Sequence, residues 1–315
     1  MISWKNKTLT IEFLFFSFFL IMTFSTGCLA RAKEMISEKY LVSFKSNKST
    51  CILRVNDLPA ADSTVANLRT VSLGYNSTAY LENGKNKVEL LMGPMNHKDP
   101  STLYKNSSCT VVFSKNTEHS SEELAVFSLN VNEENKISAA NSVNHTSLNY
   151  GKSIYEGYSK SDKDFGLYKA ESELIVRGLP KWSWVHATPV TKEDLPKIRL
   201  AYEKIWKMMH ERDVHGLESI SRISLEELSY AEGISKNIIF MSTDLPQHVL
   251  NKELRPVPID WGKYKLITYK DGRLFRMAVG FFQNSPLKFM DEKGTAVYAY
   301  SPYFSIINNN VVLVR

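Results

Sequence analysis

The hydrophobic period changes twice along this chain, and those two changes set what it can fold into. From residue 40 to about 179 the apolar residues come in short runs and alternations of period two, broken by turn residues. Between 191 and 233 they recur at helical spacing, and after Pro256 and Pro258 the period returns to two. Strands, then helices, then strands is an α+β order. The expectation is an N-terminal antiparallel β-sandwich over residues 33–188. An α+β domain over 189–315 would follow it, with helices ahead of an antiparallel sheet.

The strand signals are local. Cys51-Ile52-Leu53-Arg54-Val55 is a largely apolar run with β-branched members, and Asn56-Asp57-Leu58-Pro59 ends it as a turn. Arg69-Thr70-Val71-Ser72-Leu73 alternates polar and apolar side chains. Ala79-Tyr80-Leu81 and residues 87–92 flank a turn carrying Asn83-Gly84, a hairpin signal. Cys109-Thr110-Val111-Val112-Phe113 and residues 124–129 continue the pattern. Residues 130–164, rich in Asn, Ser, Lys and Gly, read as a long loop. The two segments at 55–59 and 80–88 resemble jelly-roll modules of the galactose-binding-domain type, which implies the architecture more than sugar binding.

In the second half, Thr191-Lys192-Glu193-Asp194 can cap a helix whose apolar stripe is Ile198, Ala201, Tyr202, Ile205, Trp206 and Met209. Ser224-Leu225-Glu226-Glu227 offers a second capping pattern. Lys270-Asp271-Gly272, residues 291–294 and Asn308-Asn309-Asn310 then separate three pairs of alternating segments, predicting a meander of hairpins. This order is similar to the cone-shaped α+β fold of nuclear-transport-factor and ketosteroid-isomerase relatives, over roughly 191–315.

The N-terminus sets the compartment. Lys5 and Lys7 precede an apolar run from Phe13 to Phe24, and small residues follow, as in a secretory signal peptide over 1–32. Ser25-Thr26-Gly27-Cys28 resembles a bacterial lipobox, with Ser25 where leucine is usual, which implies lipidation at Cys28. Ala30-Arg31-Ala32 is the competing exit, an ordinary cleavage site. Either implies the periplasm, with membrane contact only through a lipid on Cys28. Of the three cysteines, Cys51 and Cys109 are then left as an even pair, expected to bridge in an oxidising compartment.

Composition excludes some chemistry. The net charge of +6 is spread along the chain without a basic block, so a nucleic-acid partner is set aside. Apolar residues at 43%, with 11% aromatic, are enough for packed cores. No cysteine–histidine metal spacing, G-x-S-x-G or HExxH occurs, so the expectation is a non-enzymatic protein without metal or cofactor.

Binding remains. Trp182 and Trp184, at i and i+2, would face one side of an extended chain, where they could stack sugar rings or fill a seam. Trp261, Arg273, Arg276 and Tyr303 belong to an aromatic and arginine-rich stretch of the types enriched at binding hot spots. The expected function is an exported envelope protein that binds a protein partner. In general character it resembles immunity proteins that neutralise toxins delivered by type VI secretion. The alternatives are a glycan-binding envelope protein using Trp182 and Trp184, and a small-molecule enzyme on the cone using Tyr202, His210, Asp213 or Tyr264.

Overall fold

The structure, a computed structural model, describes residues 36–147 and 152–315. The leader read at 1–32, with Cys28, lies outside the described residues. Among the described residues strand accounts for 39% and helix for 24%, with the helices in the C-terminal part, so the mixed α+β class holds.

The first half is β1 (Lys39–Asn47), β2 (Ser49–Val55), β3 (Leu58–Asp62), β4 (Val71–Asn76), β5 (Gly84–Pro94), β6 (Ser108–Asn116), β7 (Ser121–Val131), β8 (Ile137–Ser138), β9 (Val143–Asn144), β10 (Tyr155–Tyr158) and β11 (Tyr168–Val176). These form two antiparallel sheets, ordered β4-β1-β6-β7-β8, with β9 also on β7, and β10-β11-β5-β2-β3. Period-two alternation decides which side each strand buries. Val42, Phe44, Val111 and Phe113 from the first sheet meet Leu53, Val55, Leu90 and Leu174 from the second in one buried cluster. Cys51 on β2 and Cys109 on β6 sit in it at disulfide distance, with Cα atoms 5.8 Å apart, so the expected bridge ties one sheet to the other.

Three local expectations fail here, each for a physical reason. The segment at 79–81 is no strand; Thr78–Tyr80 is a 3-10 turn, and β5 pairs with β2 and β11 instead of closing a hairpin at Asn83-Gly84. The buried Asn86 side chain holds the following turn, residues 82–86, donating to the Glu82 and Gly84 carbonyls at 2.8 and 3.2 Å and accepting from the Glu82 N–H at 3.0 Å. Residues 130–164 are less of a loop than expected, since β8, β9 and β10 lie within them. Trp182 and Trp184 flank the start of a 3-10 turn, Ser183–His186, instead of lying on a strand.

The second half begins with the predicted cap: Thr191 and Asp194 form a reciprocal capping box ahead of α1 (Leu195–Glu211). Ile198, Tyr202, Ile205 and Met209 are fully buried, as the stripe requires. Arg212, at φ 60°, ends the helix, and the Asp213 carboxylate accepts from the Gly216 N–H at 2.8 Å to start α2 (Val214–Ile220). Then come α3 (Arg222–Glu232), α4 (Lys236–Ser242) and α5 (Leu245–Leu250). Ser224 is a buried residue inside α3, not its cap; Ser221 occupies the cap position.

The strands β12 (Arg255–Pro256), β13 (Lys265–Tyr269), β14 (Leu274–Ala278), β15 (Leu287–Met290), β16 (Ala296–Tyr300), β17 (Phe304–Ile307) and β18 (Asn310–Leu313) include all three expected hairpins. They do not make one meander. The middle hairpin leaves to form β12-β15-β16, and β14 pairs with β17 to give β13-β14-β17-β18. Ala231, Tyr269, Leu274 and Val314 from this half enter the buried cluster of the first two sheets. Where the sequence changes character, Thr188 bridges to Ile306 and the Val190 N–H donates to the Gly272 carbonyl at 2.9 Å. Residues 36–315 thus form one compact unit.

Candidate functional site

Alternation that buries one side of the β10-β11-β5-β2-β3 sheet turns charge outward on the other. The register places Tyr155, Glu171, Glu89 and Arg54 in one cross-strand row, and Lys169, Leu91 and Ile52 in the next. Glu171 and Glu89 face each other directly, an arrangement that would repel on its own. Lys169 relieves it, with Nζ 3.1 Å from Glu89 and 3.5 Å from Glu171. Lys87 reaches Asp57 at 2.5 Å and Glu89 at 3.5 Å, and Arg54 reaches Asp164 at 2.5 Å. Burial alone would push the Asp164 carboxyl up and the Lys169 ammonium down. Hydrogen bonds to Asp164 from Ser159 and Arg54, and the Lys169–Glu89 pair, outweigh that, so Asp164 is held low and Lys169 high.

One end of this charged floor is apolar. Leu167 packs on Ile52 and Leu91, and Gly93 permits it, because a Cβ there would collide with the Leu167 side chain. From the opposite side comes the turn after β14, closed by paired backbone hydrogen bonds between Val279 and Asn284 at 2.9 and 3.0 Å. It presents Phe281 and Phe282, which are 39% and 63% exposed. Phe165, 54% exposed, meets Phe281 edge-on at 4.6 Å, and Phe281 meets Phe282 at 4.9 Å. Floor and aromatic wall enclose a cleft of about 680 Å³, with Tyr269 and Gln283 also lining it. It has the size of a ligand or peptide cleft.

Beside Tyr269 and Gln283 the cleft adjoins a buried cation. Arg276 on β14 donates through Nε to the Tyr269 hydroxyl at 3.0 Å and through Nη2 to Gln283 Oε1 at 2.7 Å. The Tyr269 hydroxyl in turn donates to Gln283 Oε1. Burial raises the Tyr269 phenol against the opposing pull of Arg276. The Arg276 guanidinium also lies 4.7 Å from the centre of the Tyr303 ring.

The structure disperses the residues that the sequence singles out. Trp182 and Trp184 are 3% and 0% exposed, and their indole N–H groups donate to the Leu81 and Ala79 carbonyls at 2.9 and 3.3 Å. Neither offers a ring face to solvent. Trp261 sits edge-on to Tyr202 at 6.1 Å and donates to Glu203 at 3.2 Å. Arg273 is spent on Glu82 and lies 5.7 Å from the Trp184 ring. Arg276 and Tyr303 are brought together, beside the cleft. As for the residues weighed for catalysis, His210 stacks on Trp206 at 5.2 Å, Asp213 caps α2, and the Tyr202 hydroxyl accepts from the Met277 N–H at 2.8 Å.

Sequence reasoning missed the cleft's own residues: Arg54, Glu89, Lys169, Phe165, Phe281 and Phe282. The alternations Lys87/Glu89 and Lys169/Glu171/Glu173 were the available signal, since they mark an outward charged side on strands that are otherwise apolar. Among the described residues, no group of three or more His, Cys, Asp or Glu side chains could hold a metal ion, and no helix is long and apolar enough to cross a membrane. Comparison with family models, with curated proteins and with solved structures returned no match.

Proposed function

We propose that this chain is a non-enzymatic exported envelope protein that binds a protein partner through the cleft, in the manner of an immunity protein neutralising a toxin delivered by type VI secretion. The observation that carries the reading is the aromatic wall. Three phenylalanines lie in edge contact, each at least 39% exposed, beside a floor whose main charges are already paired. Exposed aromatic clusters mark interaction surfaces, and rings are over-represented among the residues that dominate binding energy. Paired floor charges present complementary signs to a polypeptide without leaving a lone charge to desolvate.

The finer architecture belongs to the same proposal. The two sheets of the first half pack as a sandwich around Cys51–Cys109, and the helices with the C-terminal hairpins make a cone-like second part. The leader at 1–32 directs export, and a lipid on Cys28 would tether the protein in the periplasm. With both tryptophans in the core, a glycan reading would have to move from Trp182 and Trp184 to the phenylalanine wall.

The test is protection. Cells exporting the toxic product of an adjacent gene should grow when they also carry this chain and stop growing without it. Unimpaired killing by every neighbouring product, together with retention on a glycan array, would transfer the cleft to the glycan reading.

A further inference from the structure

Among the described residues Arg276 is a buried cation without a counter-anion. It is 6% exposed, yet among the described residues its guanidinium has no carboxylate partner. Arg54, Arg273 and Arg315 are each matched, to Asp164, Glu82 and Glu227. A charge withdrawn from water without a counter-charge is costly, and arginine is almost never fully buried unless it is paired. Nε and Nη2 lie on one edge of the guanidinium, the fork that takes a carboxylate side-on. Here that edge is filled by two neutral oxygens, the Tyr269 hydroxyl at 3.0 Å and the Gln283 amide at 2.7 Å.

We propose that this fork is a carboxylate subsite at the back of the cleft, in which Gln283 Oε1 is a neutral stand-in that the ligand's carboxylate displaces. An incoming carboxylate oxygen would take both hydrogen bonds that Gln283 now accepts, from Arg276 Nη2 and from the Tyr269 hydroxyl. The bond from Arg276, already charge-assisted, becomes an ion pair, and the bond from the Tyr269 hydroxyl becomes charge-assisted, roughly twice as strong as a neutral one. Gln283 is suited to leave. It sits at φ 49°, a region that non-glycine residues adopt at some cost, on the short turn that also carries the exposed Phe281 and Phe282. The floor itself does not attract anions, since it carries Asp57, Asp62, Glu89, Asp162 and Asp164 against Arg54, Lys87, Lys163 and Lys169. Selection therefore rests on the fork, and the ligand is one that presents a single carboxylate beside uncharged or cationic groups. This goes beyond the protein-binding reading: the fork would take a carboxylate whatever class of molecule fills the rest of the cleft.

Gln283→Glu supplies the carboxylate from the chain itself and tests the subsite without a ligand. At pH 7 it should raise the melting temperature by about 2–4 °C, the shift that about 1 kcal/mol produces in a chain of this size. The gain should vanish when Arg276→Met is added. Acetate should raise the melting temperature of the wild type at matched ionic strength, and should have no such effect on Gln283→Glu. A melting temperature unchanged or lowered by Gln283→Glu would overturn the subsite, because a buried carboxylate without a cation destabilises. Inorganic phosphate stabilising the wild type over Gln283→Glu by more than acetate does would overturn its assignment to carboxylates. If Arg276→Met does not fold, the Gln283→Glu comparison still decides.

Discussion

Arg273 grips Glu82 with both terminal guanidinium nitrogens, at 2.7 and 2.9 Å, across 191 residues of sequence. Lys270 reaches the same carboxylate at 2.7 Å and also donates to Asn56 Oδ1 and the Lys85 carbonyl, each at 3.0 Å. The β13–β14 hairpin turn is thereby plugged into the turns of the first half. The bidentate pair raises the Arg273 guanidinium. On Glu82, burial pushes the carboxyl up, but the hydrogen bonds from Arg273 and Lys270 win and hold it below its ordinary value.

Removing that anion leaves two half-buried cations without a counter-charge. Glu82→Ala should lower the free energy of unfolding by about 2–3 kcal/mol, less than for a fully buried pair because some water reaches the site. Urea unfolding measures it, and a change under about 0.5 kcal/mol would mean the clamp is ornamental.

The same carboxylates set an acid limit. Glu82 and Asp164 both titrate lower folded than unfolded. Their contribution is fully present above the unfolded carboxylate value, about 4, and is lost as pH falls through the lower folded values, where the unfolded state binds more protons. Melting temperatures measured from pH 7 to pH 3 should stay level at first and then drop. Glu82→Gln should start lower and drop less over that window.

The bridge between the sheets should account for a large share of stability. Its partners are 58 residues apart, and on the chain-entropy model closing that loop stabilises by about 4 kcal/mol. Cys51→Ser/Cys109→Ser should lose about 2–5 kcal/mol in denaturant unfolding, and reduced wild type should match it.

Trp184 is packed at 0% exposure with its N–H bonded to a carbonyl. Trp184→Ala should cost about 3–5 kcal/mol, which calorimetry would read as a large drop in melting temperature. A stable variant that lost only glycan binding would contradict its place in the core.

Legibility followed distance along the chain. The buried stripe of α1, its capping box and the three C-terminal hairpins were readable because each is decided within about 20 residues by period and turn chemistry. The Asn83-Gly84 hairpin was misread because β5 takes its partners from β2 and β11, choices that no local period records. The tryptophan pair was misread because i and i+2 share a side only on an extended chain, and the backbone there turns into a 3-10 helix. The cleft was hidden for the first reason, magnified: its floor comes from β2, β5 and β11, and its wall from the turn before β11 and the turn after β14. Arg276 and Tyr303 were picked out by residue type, and only the fold shows that they meet at 4.7 Å.

The proposed role of the cleft as the partner-binding surface is tested most directly by Phe281→Ala/Phe282→Ala in cells that export whichever adjacent-gene product the wild type protects against. Both side chains are exposed, so the variant should accumulate and melt like wild type while protection is lost, with partner affinity down by 30-fold or more, about 2 kcal/mol. Full protection by this variant at wild-type abundance would contradict the account.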